Sequence, residues 1–136
     1  VGGIDANSSS VDFNTSSDYR LKENITMTWD ATTSLKQLKP VRFSWKVDGK
    51  SEAETDGILA HEVTPVVPQA IKGEKDAVVT QSGIDDGTYS SYSKVGDPQM
   101  QSIDHSKLVP LITKALQEAI SEIETLKTKV TALESG

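Results

Sequence analysis

The stretch "ITKALQEAISEIETLKTKVTAL", residues 112–133, spaces its apolar residues alternately by four and three: Ile112, Leu116, Ala119, Ile123, Leu126, Val130 and Leu133. This is the repeat of a coiled-coil seam and predicts a long helix with one apolar stripe. With Leu116, Ile123 and Val130 at a, Glu122 and Lys129 fall at g, and Lys127 and Glu134 at e. Glu122 with Lys127, and Lys129 with Glu134, are then g-to-e pairs of opposite sign, which attract parallel, in-register copies of one chain. The stripe also suits a lone amphipathic helix lying on its own domain. Aromatic residues are only 5% of the chain. That limits the apolar area one copy can bury and favours partner chains. The number of strands stays open: Ile123 and Val130 at a with leucine at d lean towards two, while Ala119 at d argues little either way.

The totals bound the rest. At 136 residues the chain has the length of one domain with a modest core. Fourteen basic against twenty acidic residues leave a net charge of -6, which disfavours a phosphate-backbone partner, so no nucleic acid is expected. There is no cysteine, hence no disulfide and no thiolate metal site. No apolar run approaches the ~20 residues of a membrane span, and "VGGIDANSSS" at the start lacks the basic and apolar regions of a signal peptide. The chain begins like a piece of something longer.

Ahead of the helix the patterns are shorter. Residues 1–17, with two adjacent glycines and five serines, read as an extended segment in a linker arriving from an upstream domain. In "TTSLKQLKP" Ser34 is a candidate cap of a short helix that Pro40 ends. "VRFSWKV", residues 41–47, alternates Val41, Phe43, Trp45 and Val47 with polar residues and predicts one strand, turning at "DGK", residues 48–50. "DGILAHEVTPVVPQAI" predicts a strand passing into a short helix cut by Pro65 and Pro68. Residues 72–102, rich in Gly, Pro, Ser and Asp, predict hairpins and loops.

Several motifs fail on spacing. "DGKS", residues 48–51, ends like a phosphate loop, but Ser44 stands where its first glycine belongs. His61 and His105 have no partner at metal-ligand spacing, so no metal and no cofactor is expected. A triad of Ser17, His105 and Asp104 would need an arrangement that the adjacent Asp104 and His105 do not provide. "NTSSDYRLKENI", residues 14–25, is more ambiguous. Lys22 follows Ser17 by five residues, too far for a shared helix face and on the opposite side of a strand, so the two meet only across a turn. A lysine serves a serine as base only as the neutral amine, which needs burial or a nearby positive charge such as Arg20. The competing reading makes Ser17 or Asp18 the cap of a short helix over "YRLKEN", with Lys22 a solvated charge.

Four words in order, "SSDYRLKENI", "LKQLKPVRFSWK", "GILAHEVTPVVPQAI" and "SIDHSKLVPLITKALQEAISEIETLK", resemble the intramolecular chaperone domain that ends phage endosialidase tailspikes and tail fibres, related to a domain in myelin regulatory factor. The resemblance spans about residues 17–134. It implies an α+β fold, a small mixed domain followed by a long helix in a parallel trimeric coiled coil. It implies three segments: 1–16 as the end of the upstream client or a linker, 17–107 as the self-cleaving core, and 108–136 as the coiled-coil helix. The implied activity is that of a single-turnover serine endopeptidase acting on its own chain. Such a domain trimerises, registers its client during folding, and then cuts itself away with a Ser-Lys dyad. Carried over, the dyad is Ser17 and Lys22, with Asp18, Arg20, Glu23 and Asn24 in the same motif. The cut lies at Ser17, between Ser16 and Ser17 or between Ser17 and Asp18. Attack on the preceding carbonyl closes a five-membered ring and attack on its own a strained four-membered one, which favours the bond after Ser16. The implied setting is the host cytoplasm during virus assembly, with the released chaperone absent from the mature virion. The rival expectation is a trimerisation and attachment domain at a fibre tip that is never cut.

Overall fold

The computed structural model describes residues 2–6, 11–47, 50–51 and 53–136. It is a mixed α+β chain of short paired strands and short helices, ending in one long helix. The first pair is β1 (Gly2–Ala6) with β2 (Val11–Thr15), antiparallel and in register Ile4 to Phe13. The expected linker is thus a hairpin up to Thr15: two five-residue runs close enough in sequence to satisfy each other's backbone groups do not stay single.

After a single 3-10 turn (Tyr19–Leu21) and a stretch without regular structure, helix α1 (Ala31–Leu35) begins. Its cap is Asp30, whose Oδ1 accepts from the Thr33 backbone NH at 2.9 Å. Ser34, the expected cap, lies inside the helix and donates its hydroxyl to the Asp30 carbonyl. An aspartate three residues ahead of the NH it accepts from suits the cap, whereas Ser34 has only one helical residue after it.

The expected strand 41–47 divides in two. β3 (Pro40–Phe43) pairs with β6 (Thr55–Ile58), and β4 (Lys46–Val47) pairs with β5 (Lys50–Ser51). The partner changes at Ser44 and Trp45, and there the Phe43 and Trp45 rings meet edge to face at a centroid distance of 5.1 Å. Asp48 and Gly49, where the turn was expected, lie outside the described residues, although Val47 and Lys50 on either side do pair. Arg42 and Asp56, directly opposite across β3 and β6, join at 2.8 Å. Helix α2 (Ala60–Val63) follows β6, as the sequence pattern indicates.

Residues 72–102 are mostly loop. β7 (Ile71–Lys72) pairs with β8 (Ser102–Ile103), and Val78 bridges Pro98. Between them is a short helix α3 (Gln81–Asp85) that the turn-rich composition concealed. Gly83 lies against the Tyr89 ring so closely that a Cβ would enter it.

The core is small. Ala31, Val63, Val67, Ala70, Leu108, Leu111 and Ala115 form one buried cluster, edged by Leu35, Leu38, Ile58 and Ile103. It joins α1, α2 and the first turns of α4 (Val109–Glu134), a 26-residue helix. At 1.5 Å per residue α4 is about 39 Å long. Among the described residues its beginning packs on the domain, and every residue from Ala119 onward is exposed. Among the described residues no helix is long and apolar enough to cross a membrane, and no three His, Asp or Glu side chains gather as a metal site.

Candidate functional site

Residues 16–24 follow directly on β2. Asp18 opens the 3-10 turn: its Oδ1 accepts from the Arg20 backbone NH at 2.9 Å, and its carbonyl accepts from the Leu21 NH at 3.1 Å. Arg20 then clamps the same carboxylate with both ends of its guanidinium, Nε to Oδ1 at 2.9 Å and Nη2 to Oδ2 at 2.7 Å. The side-chain bond from Arg20, followed by the backbone bond, holds the Asp18 carboxyl below its usual range. A planar fork on a carboxylate fixes both groups more firmly than a point charge would.

The turn ends at Lys22, whose NH donates to the Tyr19 carbonyl and whose backbone is extended, φ -122° and ψ 136°. The chain has by then doubled back, and Lys22 Nζ donates to Ser17 Oγ at 2.7 Å. A spacing of five, unfit for a helix or a strand, is thus closed by one 3-10 turn. Of the two expected caps it is Asp18 that serves, and the Ser17 hydroxyl accepts from the exposed Lys22 amine instead. Glu23 follows on exposed backbone, and Asn24 has φ +53°, the left-handed region that asparagine tolerates better than most residues. Ser16, Ser17 and Lys22 are all exposed in the single chain. The hydroxyl and the amine are therefore in direct hydrogen-bonding contact at a solvent-exposed position.

The apolar stripe of α4 is a second surface. Leu116, Ala119, Ile123, Leu126, Val130 and Leu133 all lie on the exposed part of the helix surface. The helix packs on its own domain through Leu111, Ala115 and Glu118 instead, roughly a quarter-turn away at about 100° per residue. The stripe is therefore not what holds the helix down on its domain. Val109 and Ile120, absent from the expected seam, are exposed beside it. Val109 precedes Leu116 by seven residues, so the heptad spacing itself contained the signal for it.

Glu118 is a structural tie that the sequence pattern did not reveal. Its carboxylate accepts from the Thr32 NH at 2.9 Å, the Thr32 hydroxyl at 2.6 Å and the Ala31 NH at 3.3 Å, so it closes the start of α1 from a distance of 86 residues along the chain. The Thr32 hydroxyl, then the Thr32 NH, hold its carboxyl below the ordinary glutamate range. No local pattern announces a cap supplied by another helix.

No curated protein matches this chain. Residues 17–72 match the model of a peptidase family described as chaperone of endosialidase. The matched segment begins at Ser17 and runs through the turn, α1, β3 to β6 and α2 to the end of β7. This match supports an endosialidase-type intramolecular chaperone domain over those residues.

Proposed function

We propose that this chain is the C-terminal intramolecular chaperone of a phage tailspike or tail-fibre protein. Three copies assemble in parallel through α4, register the upstream client while it folds, and release it by one autoproteolytic cut at Ser17. The observation that carries this reading is the 2.7 Å contact between Lys22 Nζ and Ser17 Oγ, at the residue where the family match begins. The exposed stripe along a helix that projects far from its domain supports assembly, because a solitary helix with an apolar face in water lacks the packing that stabilises most helices.

The chemistry follows from the atoms. Ser17 Oγ gives its proton to the neutral Lys22 amine and bonds to the Ser16 carbonyl carbon. The Ser16–Ser17 peptide bond breaks, and the proton passes from Nζ to the Ser17 nitrogen. Water then hydrolyses the ester, leaving a Ser16 carboxylate and Ser17 as a new N-terminus. Asp18 and Arg20 hold the turn that brings the dyad together, while Glu23 and Asn24 carry the chain out of it. Residues 1–16, including the hairpin, stay with the client; 17–107 form the chaperone core and 108–136 the coiled coil. The cut waits for assembly, since the dyad is exposed in one copy and a neighbour that covers it favours the neutral lysine. The reaction takes place in the host cytoplasm during virus assembly and leaves the chaperone out of the virion.

The test is the intact mass of the chain with its client attached, beside Ser17→Ala and Lys22→Ala. The wild type is expected as two pieces meeting at Ser17, with both variants whole. Three whole proteins of trimeric size would instead make this a permanent fibre-tip anchor.

A further inference from the structure

The apolar surface of α4 continues past the helix onto the segment that leads away from Ser17 and Lys22. Residues 25–29 lie in no helix or strand. The Thr26 and Thr28 hydroxyls meet at 3.3 Å, and the Thr26 hydroxyl also accepts from the Thr28 NH at 3.4 Å, so the two threonines hold this segment locally, with Ile25, Met27 and Trp29 alternating with them. These three are 71%, 81% and 41% exposed. Met27 and Trp29 form a groove with Val109, Pro110 and Thr113 at the start of α4, and Thr26, Lys114 and Gln117 complete its lining. Val109 is also one heptad ahead of Leu116, so the first a position of the stripe is a wall of this groove.

We propose that Met27 and Trp29 dock against a second copy of this chain, making residues 25–29 part of the subunit interface. This rests on the parallel assembly proposed above. The opposite charges of Glu122 and Lys127, and of Lys129 and Glu134, set copies parallel and in register. In that register a neighbour's first heptads stand at the height of the groove. The flanks at this height are not made for ion pairs: Thr113 and Ile120 hold the e positions, while Leu108 and Ala115 at g are buried in their own core. A neighbour arriving along the seam therefore reaches the groove from its Val109 and Thr113 side, and the exposed apolar side chains that line it beyond the helix are Met27 and Trp29. Trp29 lies seven residues after Lys22, so its docking also restrains the segment that carries the dyad.

The chain has two tryptophans, and Trp45→Phe leaves Trp29 as the sole reporter while keeping an aromatic edge on Phe43. Fluorescence emission and acrylamide quenching of this full-length variant are followed through a dilution series, with sedimentation on the same samples. The expected result is a blue-shifted, quencher-protected Trp29 in the assembled chain and a red-shifted, accessible one after dissociation. Leu116→Asp with Ile123→Asp, both at exposed positions, gives the dissociated reference at every concentration. Equal quenching in assembled and dissociated samples overturns the docking while leaving the coiled coil standing. Failure to sediment as an oligomer at any concentration overturns both, so the two readings fail separately. Met27→Ser, in the otherwise unaltered chain, is expected to raise the assembly midpoint about tenfold or more, and an unchanged midpoint overturns the proposal.

Discussion

Lys22 Nζ lies 2.7 Å from Ser17 Oγ across a single 3-10 turn, and the aspartate between them is fully engaged by Arg20. The arrangement separates two tasks that one short stretch has to perform: Asp18 and Arg20 make the turn, and Ser17 and Lys22 face each other because of it. If the contact is a nucleophile with its base, the ability of residue 22 to lose its proton matters as much as its position.

Lys22→Arg isolates that requirement. The guanidinium keeps the charge and reaches the hydroxyl but stays protonated at any workable pH. Self-cleavage is expected to stop, as read by intact mass, while the sedimentation profile stays that of the wild type. An arginine variant that cuts at the wild-type rate would remove lysine from the role of base.

Asp18→Ala removes the acceptor of both the Arg20 NH and the Arg20 guanidinium. The turn loosens and Lys22 loses its fixed path to Ser17. Misplacement of a reacting group by about 1 Å costs on the order of 10²-fold in rate, so cleavage is expected to slow by about that factor. Asp18→Asn keeps an acceptor for the NH and is expected to fall between the two. The time course of the new N-terminus at Ser17 measures all three.

Glu118→Gln tests the link between α4 and α1. The carboxyl of Glu118 is held below its ordinary range by Thr32, so the charged form is favoured by folding. Its contribution is present at pH values above the unfolded glutamate pKa of about 4.3 and is lost as pH falls through the lower folded value. Thermal melts of wild type and variant are expected to differ at about pH 6 and to converge in acid. A difference that grows in acid would contradict the assignment.

Leu111 and Leu126 sit on the same helix and are expected to fail differently. Leu111→Ala opens the buried cluster and is expected to cost about 2–5 kcal/mol of folding stability. Leu126 is half-exposed in the single chain, so Leu126→Ala leaves the domain core intact. Its effect is expected only as a melting temperature that depends more steeply on protein concentration. Melts at two concentrations distinguish them.

The sequence by itself determined the α4 helix and the composition of its stripe, because heptad spacing is a local property that survives whatever the helix packs on. It also contained the alternation of β3 and the strand-to-helix passage into α2, since each is legible within a few residues. Tertiary structure decided the rest. Nothing local shows that Glu118 closes the start of α1 from 86 residues away, beside its local Asp30 cap. The division of residues 41–47 between two partners depends on where β5 and β6 fall. At the candidate site the residues were legible and their meeting was not. A spacing of five brings Ser17 to Lys22 only if the chain turns between them, and it turns because Asp18 spends its carboxylate on the NH and guanidinium of Arg20.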